Sequence, residues 1–444
     1  MAKFVLIGSG LAGGLLAAFL GRRGHEIDLY ERRADPREGS IAAGRSINLA
    51  LSTRGIHALE QIGIAHEVLR HAIPMRGRMI HEKSGNLHFA PYDIDPNKNI
   101  NSIGRAALNT TVIEAALRSP NVRVHFNYRC TDVDLDSTVA VLRHSSAAAD
   151  TAATTVSGDA IIGVDGAYSA VRESMRRKID NFEYEESYLA HGYKELTIPP
   201  GPNESWQMEK NALHIWPRKS FMMIALPNPD GSFTCTLFWE FQGARSFATV
   251  ETDDDIRRFF DDEFPDAVPL MPNLIEDFRQ NPTGSLVTIQ CAPWSYTEKV
   301  CLLGDAAHAV VPFYGQGMNA AFEDCVVLDE CLAAFPQDRH RAFIEYFERR
   351  KPNTDALAEL ALGNFIEMRD KTASRVFRAK KKLDHYLESA LPGRYLPLYT
   401  MVTFTRIPYA EAARRARLQD SSVYAVLALI GLAAIALVIC VTTR

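Results

Sequence analysis

The chain has little of what would mark a metalloprotein, a disulfide scaffold or a nucleic-acid binder. Its seven cysteines, at 130, 235, 291, 301, 325, 331 and 440, form no C-x-x-C pair, and no Cys–His spacing suits zinc. Most fall in apolar runs, which predicts reduced, buried thiols in a reducing compartment rather than bridges. Lysine and arginine number 49 against 54 acidic residues, a net charge of −5, so there is no basic footprint for nucleic acid. No internal repeat is visible, and no arrangement of nucleophile, base and orienting acid stands out. At 444 residues the chain exceeds one typical core and should divide into two or three substructures.

What is present is glycine in specific places. Lys3 to Ile7 is a short apolar strand followed at once by Gly8-Ser9-Gly10-Leu11-Ala12-Gly13, a helical run to Arg23 and a second strand from Glu26 to Tyr30 that ends in Glu31. That strand-turn-helix-strand setting gives G-x-G-x-x-G its meaning as a dinucleotide site. Gly8 permits the tight turn, Gly10 lets a pyrophosphate reach the backbone, and Gly13 allows helix and strand to touch. Glu31 is placed to accept hydrogen bonds from an adenosine ribose and disfavours a 2′-phosphate there, which points to FAD or NAD. No second such fingerprint follows a strand, so one dinucleotide has a dedicated fold. This fold begins at Lys3, which leaves no room for a cleavable leader.

A second apolar strand, Val300 to Leu303, runs into Gly304-Asp305-Ala306-Ala307-His308 and then Pro312-Phe313-Tyr314-Gly315-Gln316-Gly317-Met318-Asn319. A run of this kind suits a parallel sheet, with Asp305 at the carboxyl end where ligands bind. A helix predicted over 320–335, with Glu323 and Asp324 in its first turn, would aim its N-terminal amides at the ligand. His308 reads as a packing or capping residue. A third fingerprint, Gly163-Val164-Asp165-Gly166-Ala167-Tyr168-Ser169, is strand, acidic turn and helix start.

Taken together and in this order, the three fingerprints resemble the aromatic-hydroxylase group of FAD monooxygenases, the para-hydroxybenzoate hydroxylase type. The stretches 44–52 (GRSINLALS), 74–81 (PMRGRMIH), 191–200 (HGYKELTIPP), 214–218 (HIWPR), 221–227 (FMMIALP) and 398–402 (LYTMV) narrow this to a resemblance to the kynurenine 3-monooxygenase family, running from Lys3 to about Arg406. The resemblance implies hydroxylation of L-kynurenine to 3-hydroxykynurenine, with NADPH and dioxygen, through a flavin hydroperoxide. NADPH would dock transiently in a surface groove, and neither a metal nor a nucleic-acid partner would take part.

Site assignments follow from the same resemblance. For FAD it adds Ala12, Tyr30, Glu31, Arg32, Arg33, Ala50, Arg105, Cys130, Asp305, Met318 and Asn319 to Gly8, Gly10, Gly13, Asp165 and Gly317. For the substrate it implies Arg78, Tyr92, Asn364 and Tyr399. Arg78 would clamp the carboxylate, because a guanidinium offers two parallel donors and stays charged. Glu367, one helical turn beyond Asn364, would hold Asn364 or a water, with Arg369 as its neighbour. Two other readings remain open on residues alone: a flavin hydroxylase of quinone-type lipid precursors, and a non-catalytic membrane-tethered flavoprotein.

The expected fold is α/β, a Rossmann-like FAD-binding domain (1–73, 103–181 and 285–341) with an inserted antiparallel substrate sheet. The sheet is expected over 74–102 and 182–284, where apolar and polar residues alternate as in Phe233-Thr234-Cys235-Thr236, so that one face is covered. A helical C-terminal region, 342–420, would close the site. The Ser145–Ala153 stretch reads as a surface loop. Val423 to Val441 carries no charge and is long enough to cross a bilayer, with Arg414, Arg415 and Arg417 before it. It is therefore expected to be a C-terminal transmembrane helix, 422–442, with the body on the cytoplasmic side of a mitochondrial outer or bacterial inner membrane.

Overall fold

The computed structural model describes residues 1–38, 48–93, 95–145, 153–367 and 375–442. Residues 44–47 of one resemblance stretch, most of the Ser145–Ala153 stretch, and Arg369 lie outside them. A six-stranded sheet runs in the order Ser295–Tyr296, Val300–Leu302, Ala160–Gly163, Lys3–Ile7, Glu26–Tyr30, Val122–His125. All its pairs are parallel except the outermost, Ser295–Tyr296 with Val300–Leu302. Its central strands are aliphatic and buried on both faces, because helices Leu11–Arg22, Ala170–Lys178 and Gly317–Ala334 pack around it. The three strands of the fingerprints thus end side by side.

The second large sheet has seven strands, in the order Gly284–Ala292, Glu183–Ile198, Phe233–Glu240, Met222–Pro227, Ala212–Pro217, Gly77–His81, Leu87–Pro91. It is mixed rather than antiparallel, since Gly77–Ile80 pairs in parallel with Ala212–Ile215. The reason is topological: the hairpin 77–91 is laid down early in the chain and joins the later meander along its flank. Nor is only one face covered. Cys235 to Trp239 are buried without alternation, because helices Asp253–Glu263 and Leu274–Gln280 cover one face through Trp216, Phe221, Trp239 and Phe260, while the C-terminal helices cover part of the other through Ile215, Met222 and Phe238.

Helices Arg339–Ile366, Arg375–Ala390 and Leu398–Phe404 follow, then one helix from Tyr409 to Thr442. The membrane anchor expected over 422–442 is corrected here. Among the described residues, no helix is long and apolar enough to cross a membrane. The aliphatic end is the continuation of a helix that opens inside the protein, where Tyr409 and Ala412 are fully buried, and that next carries Arg414 and Arg415 paired to Glu411. The transmembrane helix, the membrane as partner and the placement at a mitochondrial or bacterial membrane all rested on that segment and fall with it. Helix Gly317–Ala334 also starts earlier than expected, so Glu323 and Asp324 lie in its second turn and face inward to arginine.

Candidate active site

One cavity of about 580 Å³ runs from the Gly8 turn to the inner face of the seven-stranded sheet. At one end the strand Lys3–Ile7 breaks at Gly8, whose φ is +104°; a Cβ there would stand 2.5 Å from the carbonyl oxygen of Val164. Helix Leu11–Arg22 then lies so close that a Cβ on Gly13 would stand 1.9 Å from the Gly8 carbonyl oxygen. Gly13 therefore shapes the turn from behind and does not line the cavity. Glu31 folds back across the turn. Its carboxylate accepts the Ser9 amide at 2.8 Å and the Arg33 amide at 3.0 Å, which ties the second strand to the glycine loop. Tyr30 stacks on His125 at 4.5 Å.

Gly8, Gly10, Ala12, Tyr30, Glu31, Arg32, Arg33, Ala50, Arg105, Cys130, Asp165, Asp305, Gly317 and Met318 all line this cavity. Asp305, first residue of the turn after Leu302, is exposed to it, as is Arg105 at the start of its own helix. Burial pushes the Cys130 thiol up to about 12, so it stays protonated. Enclosure of its carboxyl raises the pKa of Asp165, and one carboxyl oxygen accepts the Ala170 amide at 2.7 Å. Its other oxygen, Oδ1, and the nearby Ser9 hydroxyl are buried with no hydrogen-bond partner. Orphaned polar atoms of this kind carry a cost unless a ligand satisfies them.

Helix Gly317–Ala334 points its N-terminus at the same space. Its first intrahelical bond runs from the Ala320 amide to the Gln316 carbonyl, 2.8 Å, so the amides of 317–319 have no acceptor within the helix. They supply donors and partial positive charge for an electron-rich edge. Asn319 itself is fully buried and faces away from the cavity. Its side chain accepts the Ser52 amide and donates to the carbonyls of Ala50 and Gly315, each at 2.9 Å. A turn for a pyrophosphate, strand-end carboxylates for hydroxyls and free helix amides together fit FAD.

The far end of the cavity is built differently. Arg78, on the strand Gly77–His81, is half-buried, and its Nε is enclosed without a hydrogen-bond partner. Its guanidinium lies 4.9 Å from the ring centre of Tyr399 and 5.7 Å from that of Tyr92. These two rings stack 5.4 Å apart, and Tyr314 also stacks on Tyr399, at 5.7 Å. Burial opposes the charge on Arg78, but Tyr399, Tyr92 and Glu367 raise its pKa above the ordinary value, so it is a permanent cation. Burial likewise holds the Tyr92 phenol well above its usual range, and its hydroxyl also lacks a hydrogen-bond partner. Arg78, Tyr92 and Tyr399 line the cavity together. Asn364 does not line it; its amide donates to the Phe313 carbonyl at 2.7 Å and so braces the loop that carries Tyr314.

Several residues of the site carry no signal in the sequence. Tyr314 is one, since nothing local distinguishes a cavity tyrosine from a core one. Another is Arg350, which joins the acids and histidine already visible behind Asp305. His308 and Arg350 both meet Asp324, at 2.6 Å each, and Arg350 also reaches Glu323 at 2.5 Å. Asp324 accepts the Gly304 amide as well, at 3.2 Å, which fixes the backbone that presents Asp305. His308 is thus a packing residue with a charged partner.

The FAD binding domain family matches residues 1–361. The chain is 47% identical over 418 residues to kynurenine 3-monooxygenase of Myxococcus xanthus, covering 94% of this chain and 89% of the relative. It is 46% identical over 421 residues to kynurenine 3-monooxygenase of Dictyostelium discoideum, covering 92% and 89%. Among solved structures, a tetrameric form of 2-methyl-3-hydroxypyridine-5-carboxylic acid oxygenase superposes with a TM-score of 0.67 at 20% identity, over 87% of this chain and 95% of that one, which shows the shared fold. Matches of this extent to both the nucleotide turns and the substrate end place the chain in the kynurenine 3-monooxygenase family of FAD-binding proteins.

Proposed function

We propose that this protein hydroxylates L-kynurenine to 3-hydroxykynurenine, with FAD as resident cofactor and NADPH and dioxygen as co-substrates. The observation that carries the reading is Arg78, a half-buried cation with an enclosed, unused donor, framed by Tyr92 and Tyr399 in the cavity that begins at the Gly8 turn. A free amino acid brings the carboxylate that such a cation requires, and an aminophenyl ketone brings the ring that the tyrosine wall suits. A quinone-type precursor brings no carboxylate, and a non-catalytic flavoprotein has no use for a clamp.

Bound FAD supplies electron transfer from reduced nicotinamide and the activation of dioxygen. The chain supplies orientation, charge placement and dryness. Arg78 takes the substrate carboxylate, with Tyr92 and Tyr399 arranged around the amino-acid end and Asn364 bracing the Tyr314 loop beside them. The ring carbon beside the amino group, already electron-rich, is thereby held in the same cavity as the flavin site. Glu31, Asp165 and Asp305 receive dinucleotide hydroxyls, Arg105 balances the pyrophosphate, and the remaining cofactor residues shape the walls. Aromatic and aliphatic side chains exclude water from the reacting end. In domain terms, residues 1–73, 103–181 and 285–341 would hold FAD, 74–102 and 182–284 the substrate, and 342–420 the closing helices.

Product analysis tests this directly. Purified protein supplied with FAD, NADPH and L-kynurenine in air should yield 3-hydroxykynurenine in proportion to NADPH consumed; NADPH consumption that kynurenine does not accelerate would defeat the proposal. A second expectation concerns the cofactor alone. Glu31→Ala removes an acceptor from the Ser9 and Arg33 amides, so the FAD dissociation constant should rise roughly tenfold to a hundredfold, the worth of one charge-assisted hydrogen bond. Flavin fluorescence recovered on filtration reads this, and a fully loaded mutant would exclude the role.

A further inference from the structure

Arg54 is the most deeply buried arginine among the described residues, with 1% of its surface exposed, and it lies away from the cavity. It opens the helix Thr53–Gln61, just after the strand that carries Ala50. Its guanidinium reaches into the C-terminal segment between the helices Leu398–Phe404 and Tyr409–Thr442. One Nη donates to the Thr405 carbonyl at 2.8 Å and the other to the Ile407 carbonyl. The same group lies 4.1 Å above the Tyr409 ring, and its Nε stands 3.8 Å from Glu323. Two carbonyls of an irregular turn, otherwise without strand or helix partners to accept from, are thereby satisfied by one rigid fork.

From Tyr409 a chain of hydrogen bonds returns to the flavin side. The Tyr409 hydroxyl donates to Gln316 at 3.0 Å, Gln316 donates to the Ser52 hydroxyl at 3.1 Å, and the Ser52 amide donates to Asn319 at 2.9 Å. Asn319 in turn holds the Ala50 and Gly315 carbonyls. On the other side of Arg54, the helix it anchors presents Tyr399 to Arg78, and that helix is also pinned by Thr400 to Asp93 at 3.1 Å. Arg54 therefore touches neither ligand space, yet its contacts lead to both walls of the cavity.

We propose that Arg54 is a positioning residue that sets the distance between the Gly315–Asn319 loop and the Tyr399 wall, so that substrate binding and productive use of NADPH depend on it. The proposal rests on the hydroxylase reading given above. Without the fork, the Tyr399 helix drifts from the loop. Substrate is then held loosely, and electrons from NADPH leave as hydrogen peroxide, two electrons and two protons reducing one dioxygen, instead of appearing as hydroxylated product.

Arg54→Lys and Tyr409→Phe test this in the holoenzyme. Arg54→Lys keeps the charge but reaches one carbonyl at a time; Tyr409→Phe keeps the ring under Arg54 and removes only the link to Gln316. With flavin content and kynurenine-free NADPH oxidation as controls, Arg54→Lys should raise the kynurenine KM about tenfold, as for one lost charge-assisted hydrogen bond. Both variants should return a larger share of consumed NADPH as hydrogen peroxide. Wild-type KM and wild-type peroxide share in both, with only a lower melting temperature, would make Arg54 purely structural and overturn the proposal. Should Arg54→Lys fail to fold, an unchanged peroxide share in Tyr409→Phe alone is sufficient to reject it. Wild-type protein forming no 3-hydroxykynurenine would instead sink the underlying reading.

Discussion

Replacing Arg78 with alanine should raise the kynurenine KM by about a hundredfold while leaving FAD bound, because truncating one partner of a buried charge pair costs roughly 3 kcal/mol. The effect is large because the guanidinium holds an enclosed Nε donor with no partner in the protein. Its neighbours are rings, which can stack on a cation but cannot take its place. Arg78→Lys should fall between, since an ammonium keeps the charge and loses the two-pronged geometry. Steady-state kinetics with kynurenine, alongside the flavin absorbance of the same preparation, decide the matter. A KM within twofold of wild type would remove Arg78 from the substrate site.

Asp324→Asn should cost stability on a similar scale, about 3 to 5 kcal/mol, the usual penalty for leaving buried cations uncompensated. Asp324 is fully enclosed and receives His308, Arg350 and the Gly304 amide. Burial pushes its carboxyl up, but His308 and Arg350 more than offset this and hold the pKa below the ordinary value. A carboxyl whose folded pKa lies below the unfolded one stabilises fully above the unfolded value, about 4, and loses that contribution as pH falls through the folded value. The wild type should therefore lose stability steeply below about pH 4, and Asp324→Asn should flatten that acid limb. Denaturant titrations from neutral to acid pH check both. Equal stabilities and parallel acid limbs would show the pair to be idle.

Legibility in the sequence tracked how local the physics was. Gly8, Gly10, Gly13, Glu31 and Asp305 sit on strand-turn-helix units whose meaning is complete within a few residues, and the structure brings their three strands together in one sheet. Arg78 could be singled out only by resemblance, because its setting comes from Tyr92 and Tyr399, the latter over 300 residues away. Asn364 and Asn319 could likewise be named only through the resemblance, and their side chains hold the carbonyls of Phe313, Ala50 and Gly315. Arg54 escaped notice because a buried arginine and a solvated one look alike until their partners are known, and Asp324 was read only as a helix-start acid because its partners His308 and Arg350 come from other elements. The C-terminal aliphatic run misled for a related reason: an uncharged stretch was judged apart from the helix that it continues.

The parallel pairing of Gly77–Ile80 with Ala212–Ile215 has a consequence for synthesis. The hairpin bearing Arg78 leaves the ribosome about 130 residues before the strand it must join, which at 5–20 residues per second is a wait of roughly 6 to 26 seconds. For that interval it is a two-stranded ribbon with no core to lean on, marginal in water by itself. Chaperone occupancy of nascent chains stalled before and after residue 217 should therefore differ, with release once the late strand emerges and docks.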